Sequence, residues 1–232
     1  MLAVQPTDYL RRSPLYRWHM DAGAEFADRD GVACAERYPG AAPDIATCAL
    51  ADLSLLPRLG MKGWTAWSML GSIGVGRPGE NNTASSMHGG GLALRLGDNE
   101  ALLLGDIAAD APLLTRASAL PQANGFYPVP RQDTHAWFVL TGKAIPALLS
   151  KVCAVDFRID RFADLAIAQT TVARVGAIVL RCDLGDVPAF HVLADTASAL
   201  YLWQVLLQAG EEYFCRAAGL EALRQTKSAD RT

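Results

Sequence analysis

The chain has no C-x-x-C pair, and its five cysteines, Cys34, Cys48, Cys153, Cys182 and Cys215, are widely spaced and odd in number. That pattern suggests neither a disulfide framework nor a zinc site, and free thiols in a reducing cytoplasm are the expectation. Charge is sparse as well: 19% of residues are charged, with 21 Lys+Arg against 24 Asp+Glu and a net charge of -3. No basic block and no alternation of basic with aromatic residues occurs, which argues against nucleic acid as a partner. No apolar run reaches the ~18 residues that a membrane span needs, so no membrane is expected. Residues 1–12 place charge after a short apolar start, the wrong order for a secretory signal. His19, His88, His135 and His191 make no pair at metal-ligand spacing. The run Gly89-Gly90-Gly91 precedes a strand and lacks the Gly-Lys-Ser/Thr ending of a phosphate loop.

What the chain does have is apolar content, 51% of 232 residues, enough for a sizeable core. It also has an internal echo. Leu55-Leu56-Pro57-Arg58-Leu59-Gly60-Met61-Lys62-Gly63-Trp64 reads as a short strand running into Gly and Lys before a helix, and Ala136-Trp137-Phe138-Val139-Leu140-Thr141-Gly142-Lys143-Ala144-Ile145 repeats it. Each copy is followed by a hairpin, first Leu92 to Leu104 around Gly97-Asp98-Asn99-Glu100, then Val172 to Leu193 around Gly185 and Pro188. Each hairpin ends in an aspartate placed as a helix N-cap, Asp106 and Asp195. The expected fold is α+β: two related strand–helix–hairpin–helix units, 46–120 and 131–222, forming one body. Pro121 to Pro130 would be the boundary between them. Residues 1–45 would wrap the surface, with Ser13 capping a helix that opens at Pro14. In the last strong helix Leu200, Trp203 and Leu207 share one face, and Leu202 and Leu206 share another. The tail 225–232 is polar and expected to fray.

Few side chains announce chemistry. Lys62 and Lys143 occupy equivalent points of the two copies and read as solvated residues at helix starts. The three glycines read as a backbone turn, since glycine supplies positive φ. His191, inside the apolar strand Phe190-His191-Val192-Leu193, reads first as a hydrogen-bonded strand histidine. Trp18, Trp64, Trp67, Trp137 and Trp203 read as core or interface aromatics, and spacing alone supports no Ser-His-Asp arrangement.

Several segments in order resemble the folate-binding domain of the glycine-cleavage T-protein (aminomethyltransferase) family, and more closely the gamma subunit of heterotetrameric sarcosine oxidase. They are Ser13-Pro14-Leu15-Tyr16-Arg17-Trp18-His19, Ala49-Leu50-Ala51-Asp52-Leu53-Ser54, residues 92–103, Lys151-Val152-Cys153-Ala154-Val155-Asp156, residues 189–193, residues 200–207 and residues 210–220. The resemblance implies a T-protein-like domain without the later T-protein domains. It also points to departures. The aspartate pair of T-proteins falls near Gly89 and Gly90 here, where no proton acceptor exists. The folate-holding glutamate aligns with His191, and the tyrosine-glycine element before it with Val175-Gly176-Ala177.

The resemblance therefore implies a gamma-type subunit with no catalytic residues of its own, which packs against alpha and beta subunits of a flavin-dependent oxidase acting on sarcosine or a similar N-methyl amine. FAD, FMN and NAD would sit on those partner subunits, with no cofactor on this chain. The alternative is a stand-alone folate-binding protein or minimal one-carbon transferase, in which Arg174, His191 and Arg216 face tetrahydrofolate; alone, such a chain could form a homodimer. A central cavity faced by a carboxylate would favour that alternative. An iron–sulfur maintenance role ranks last, because neither Cys182 nor Cys215 sits in the cysteine motif of that branch.

Overall fold

The computed structural model describes residues 4–108 and 110–229. Its strands are β1 Glu25–Arg29, β2 Val32–Arg37, β3 Ala49–Asp52, β4 Arg58–Lys62, β5 Thr83–Ser86, β6 Leu92–Gly97, β7 Glu100–Leu104, β8 Tyr127–Val129, β9 His135–Thr141, β10 Ile167–Val172, β11 Val175–Arg181, β12 Ala189–Asp195 and β13 Arg216–Ala218. Its helices are α1 Tyr16–Asp21, α2 Ala66–Ser72, α3 Pro112–Ser118, α4 Arg131–Thr134, α5 Ile145–Ser150, α6 Ala199–Ala209 and α7 Leu220–Ala229.

Two sheets carry the molecule, one ordered β5-β6-β7-β4-β8 and one ordered β10-β11-β12-β9-β3-β13. The segments β5-β6-β7-β4 and β10-β11-β12-β9 have the same order, so the internal echo in the sequence is a duplication of topology. Each unit has one strand more than the sequence suggested, because β5 and β10 precede the hairpins. β5 is the polar stretch Thr-Ala-Ser-Ser on a sheet edge, and it carries no apolar pattern to reveal it. β3 pairs with β9 and β13, not with the strands of the 46–120 segment.

Both sheets are apolar on both faces, and side chains alternate between faces along each strand. Leu102 and Leu104 of β7 join Trp137 and Val139 of β9 in the core between the sheets. Their neighbours Ala101 and Leu103 turn outward to α2 and α3, and Phe138 and Leu140 turn outward to α5 and α6. The result is a four-layer helix–sheet–sheet–helix stack. At one margin the sheets are bridged by backbone hydrogen bonds, Ala84 to Leu165 at 2.8 Å and Ile167 to Asn82 at 2.9 Å.

At β4 the link is Arg58, a buried guanidinium that donates to the carbonyls of Ser54, Leu56, Arg131, Gln132 and His135. Burial, and then the nearby charge of Arg11, lower its pKa to about 10, so it stays charged at neutral pH.

The repeated glycine has a steric cause. Gly63 (φ 120°) and Gly142 (φ 113°) each turn a strand into a helix three residues on. A Cβ on Gly63 would lie 2.1 Å from the Gly125 carbonyl oxygen, and one on Gly142 would lie 2.4 Å from that of Thr47. Aligning these glycines pairs Lys62 with Thr141 and Lys143 with Trp64, so the two lysines are not equivalent.

Other local expectations shift. The first strand of the echo opens at Arg58, not Leu55. Helix α1 opens at Tyr16, and Ser13 instead accepts the Leu15 amide at 3.0 Å. Helix α3 opens at Pro112, so Asp106 does not cap it, whereas Asp195 caps a 3-10 turn leading into α6 by accepting the Ala197 amide at 2.8 Å. In α6 the buried residues are Ala199, Leu202, Trp203 and Leu206, while Leu200 is exposed. Residues 25–37 form a hairpin turned by Asp30 and Gly31, both at positive φ, as a Asp-Gly two-residue turn requires. The proline-rich stretch supplies edge strand β8, paired with β4. Residues 225–229 continue α7 instead of fraying, and residues 230–232 lie outside the described residues.

Gly142→Ala should cost about 2–4 kcal/mol in urea unfolding, because both φ and the Thr47 backbone oppose it. Gly176→Ala, with nothing near its Cβ, should change stability by less than about 0.5 kcal/mol. Arg58→Met should cost about 3–5 kcal/mol, since it strands buried carbonyls, and equal stability of that variant would refute the linking role.

Candidate functional site

At one end of the seam between the sheets the apolar packing gives way to a cavity of about 570 Å³. The first unit contributes the Gly89-Gly90-Gly91 loop and Asp106; the second contributes Trp137, the Cys182-Asp183 turn and His191; Lys227 comes from α7. All three glycines hold positive φ. A Cβ at Gly91 would strike the Leu104 carbonyl oxygen at 2.4 Å. The glycine turn is therefore also a wall of the cavity.

Two carboxylates, Asp106 and Asp183, line this space. One oxygen of Asp106 accepts Lys227 Nζ at 2.6 Å and the Gly91 amide at 3.3 Å, and the other accepts the Ala108 amide at 2.7 Å. Burial opposes its charge, but the lysine and the two amides outweigh that and hold its pKa below the usual carboxylate range. Asp183 is likewise engaged: Arg181 donates to both its oxygens, at 3.0 and 2.6 Å, and the Ala189 amide donates at 3.1 Å. The Cys182 thiol is pushed up to about 12, by burial first and the Asp164 charge next, so it stays protonated.

His191 lies between Ala189 and Leu193, which both face the seam, so strand alternation turns its ring inward too. Trp137 Nε1 donates to its Nδ1 at 3.0 Å. Burial, then the Lys227 charge, lower its pKa to about 4. At neutral pH the ring is uncharged, with its proton on Nε2. That N–H has no partner among the described residues and is not enclosed by protein. It is a free donor on the cavity wall.

Of the three residues singled out in the sequence, only His191 lines the cavity. Arg174 is exposed in the β10–β11 turn, and Arg216 is exposed on edge strand β13. The structure does not bring them together with His191. Sequence reasoning missed Asp106 and Lys227 as a pair, because 121 residues separate them and Lys227 lies in the polar tail. The only signal was a lone aspartate directly after an apolar strand.

A second polar cluster lies apart from the cavity. Asp52 is buried and accepts from Ser13 Oγ, from the Ser54 amide at 2.8 Å and from His19 Nε2 at 3.0 Å, while Tyr38 bonds His19 Nδ1 at 2.7 Å. Serine bonds the aspartate and not the histidine, so the group does not activate a nucleophile; it anchors α1 to the end of β3. Among the described residues no group of three or more His, Cys, Asp or Glu side chains could hold a metal ion, and no helix is long and apolar enough to cross a membrane.

No protein-family profile matches the chain, and no curated protein matches it. Solved structures do. The aminomethyltransferase T of the glycine cleavage system from Bartonella henselae aligns with a TM-score of 0.70 at 16% identity over 94% of this chain. The chain spans 62% of that protein's length. A heterotetrameric sarcosine oxidase from Corynebacterium sp. U-96, in complex with pyrrole 2-carboxylate, aligns with a TM-score of 0.64 at 22% identity, covering 88% of this chain and 96% of the matched one. At these identities the likeness establishes the fold alone: the chain has the mixed α/β architecture that these two proteins share.

Because His191 holds a pKa of about 4 in the fold against about 6.5 unfolded, its stabilising contribution is complete above pH ~6.5. Between those values the unfolded chain binds the extra proton, so the contribution is lost as pH falls toward about 4, amounting to about 3 kcal/mol in all. His135, also lowered to about 4, by burial and the Arg131 charge, adds a slope of the same sign. Chemical unfolding of His191→Gln across that window should show a slope smaller by up to one proton, and an unchanged slope would mean His191 titrates normally.

Proposed function

We propose that this chain is a non-catalytic, gamma-type subunit of a flavin-dependent oxidase of sarcosine or a related N-methyl amine. The observation that carries this reading is the state of the cavity's ionisable groups. Asp106 is neutralised by Lys227, Asp183 by Arg181, and His191 is an uncharged donor, so none of these three inner groups is a base poised for proton transfer at neutral pH; the other histidine of the lining, His88, is exposed on the glycine loop. The near end-to-end likeness to one chain of a sarcosine oxidase supports it. So do large exposed side chains of the kind that anchor interfaces: Trp64 and Tyr127, which meet around Gly125, and Leu200 and Tyr201 on α6. Alpha and beta subunits would cover such surfaces and carry FAD, FMN and NAD.

The second reading, a folate-binding protein, is favoured by the cavity itself and by the carboxylates facing it. The residues fit tetrahydrofolate only in part. A pterin edge presents N–H donors, and His191 offers it another donor. Asp106 can accept such donors only if Lys227 yields. If folate does enter, the chemistry it supplies is one-carbon carriage, and this chain contributes the cavity wall and the hydrogen bonds of His191 and Asp106.

Tagged chain recovered from its native extract should come with larger subunits, absorb in the flavin region and oxidise sarcosine. A colourless lone chain whose Trp137 fluorescence is quenched by tetrahydrofolate would replace this with the folate-binding reading, the Trp137→Phe variant serving as control. A colourless chain that ignores tetrahydrofolate would overturn both.

A further inference from the structure

β13 is a three-residue strand on the margin of the larger sheet, held in parallel to β3 with Arg216 opposite Ala49, Ala217 opposite Leu50 and Ala218 opposite Ala51. One residue earlier in the same register stand Cys215 and Cys48. Both belong to the apolar layer between the larger sheet and α5 and α6, so both side chains lie on one side of the sheet. Cys48 is buried and Cys215 partly exposed, with its Sγ against Gly210. We propose that Cys48 and Cys215 are a redox modification site, a thiol pair that a peroxide converts to a disulfide bonding β13 to β3.

The chemistry of the pair suits that step. The neighbouring Cys215 lowers the Cys48 pKa from its ordinary value, while Cys48 and burial raise that of Cys215. Lys151, which bonds the Ala209 carbonyl nearby, adds positive charge in the same sense. A pair that shares one proton gives up the other readily, and the thiolate is the reactive form. The remaining cysteines are poorer candidates: Cys34 and Cys182 are each pushed up to about 12 by burial, and Cys153 contacts Thr170. In the first step Cys48, as the thiolate, takes the Cys215 proton, and the sulfur of Cys215, the more exposed of the two, attacks a peroxide oxygen. The O–O bond breaks and water leaves, giving a sulfenic acid. Cys48 then attacks the Cys215 sulfur, the S–O bond breaks, and a second water leaves with the Cys48 proton. Two thiols lose two electrons, and the peroxide gains them.

The bond would act on more than the strand. Cys215 leads through β13 and Gly219 directly into α7, where Arg224 pairs with Glu36 at 2.9 Å and Lys227 reaches Asp106 in the cavity. Fixing β13 therefore fixes the root of the helix that brings Lys227 to the cavity.

The full chain treated with hydrogen peroxide should lose about 2 Da, two hydrogens, and regain them with dithiothreitol. Non-reducing peptide mapping should find the Cys48 and Cys215 peptides joined, and amides of residues 216–223 should exchange more slowly in the oxidised form. Cys215→Ser, at a partly exposed position that folding tolerates, should abolish all three effects; Cys48→Ser should do the same, and Cys153→Ser should leave them intact. Oxygen added to a single cysteine without a cross-link, a cross-link through Cys153, or loss of the same mass by Cys215→Ser would each overturn the assignment.

Discussion

Leu94, Leu96, Leu102 and Leu104 of one sheet lie against Trp137, Val139, Leu180 and Leu193 of the other, and this contact of inner faces is what the remaining structure is built on. Once the sheets stack, each outer face is left apolar and must be covered, which is why every unit carries helices on its outer side. The stack also sets where a cavity can exist. Leucine and valine fill much of the seam, and the cavity opens where glycines stand at positions 89–91 and where polar residues begin, at Asp106 and His191.

That geometry decides the chemistry of the site. A histidine on a central strand between two sheets is desolvated, so it is neutral, and the indole of Trp137 fixes which nitrogen carries its proton. An aspartate at the rim of the seam keeps its charge only with compensation, which Lys227 and two backbone amides supply. The cavity thus has the shape of a ligand site while its strongest groups are already occupied within the chain. The C-terminal helix matters to both aspects, since it carries the lysine that holds the aspartate.

The buried polar networks do different work. Arg58 joins two parts of the chain through carbonyls alone, and no carboxylate competes for it. Asp52 gathers Ser13 and His19 and so fixes the N-terminal helix to β3. Both depend on every partner being present, because a buried group that loses its partner keeps its desolvation cost.

Much of the fold was legible in the residues. The hairpins, read as 92–104 and 172–193, the glycine that ends each opening strand and the duplication itself follow from apolar runs, turn residues and one steric requirement repeated at Gly63 and Gly142. These are local properties, and local chemistry encodes them. The Asp30-Gly31 hairpin turn was equally local, but residues 1–45 were read only as a segment wrapping the surface. What the sequence could not disclose was contact across distance: that β5, a polar edge strand, completes a sheet, that β3 joins the larger sheet, that Lys227 folds back onto Asp106, and that Arg174 and Arg216 lie away from His191. Periodicity reports which face of an element is apolar, but it carries no record of which element lies opposite. The pairing of sheets, the cavity at the end of their seam and the charge states within it were decided by tertiary packing, because burial, and not residue type, determines whether a histidine is neutral or an aspartate needs a lysine.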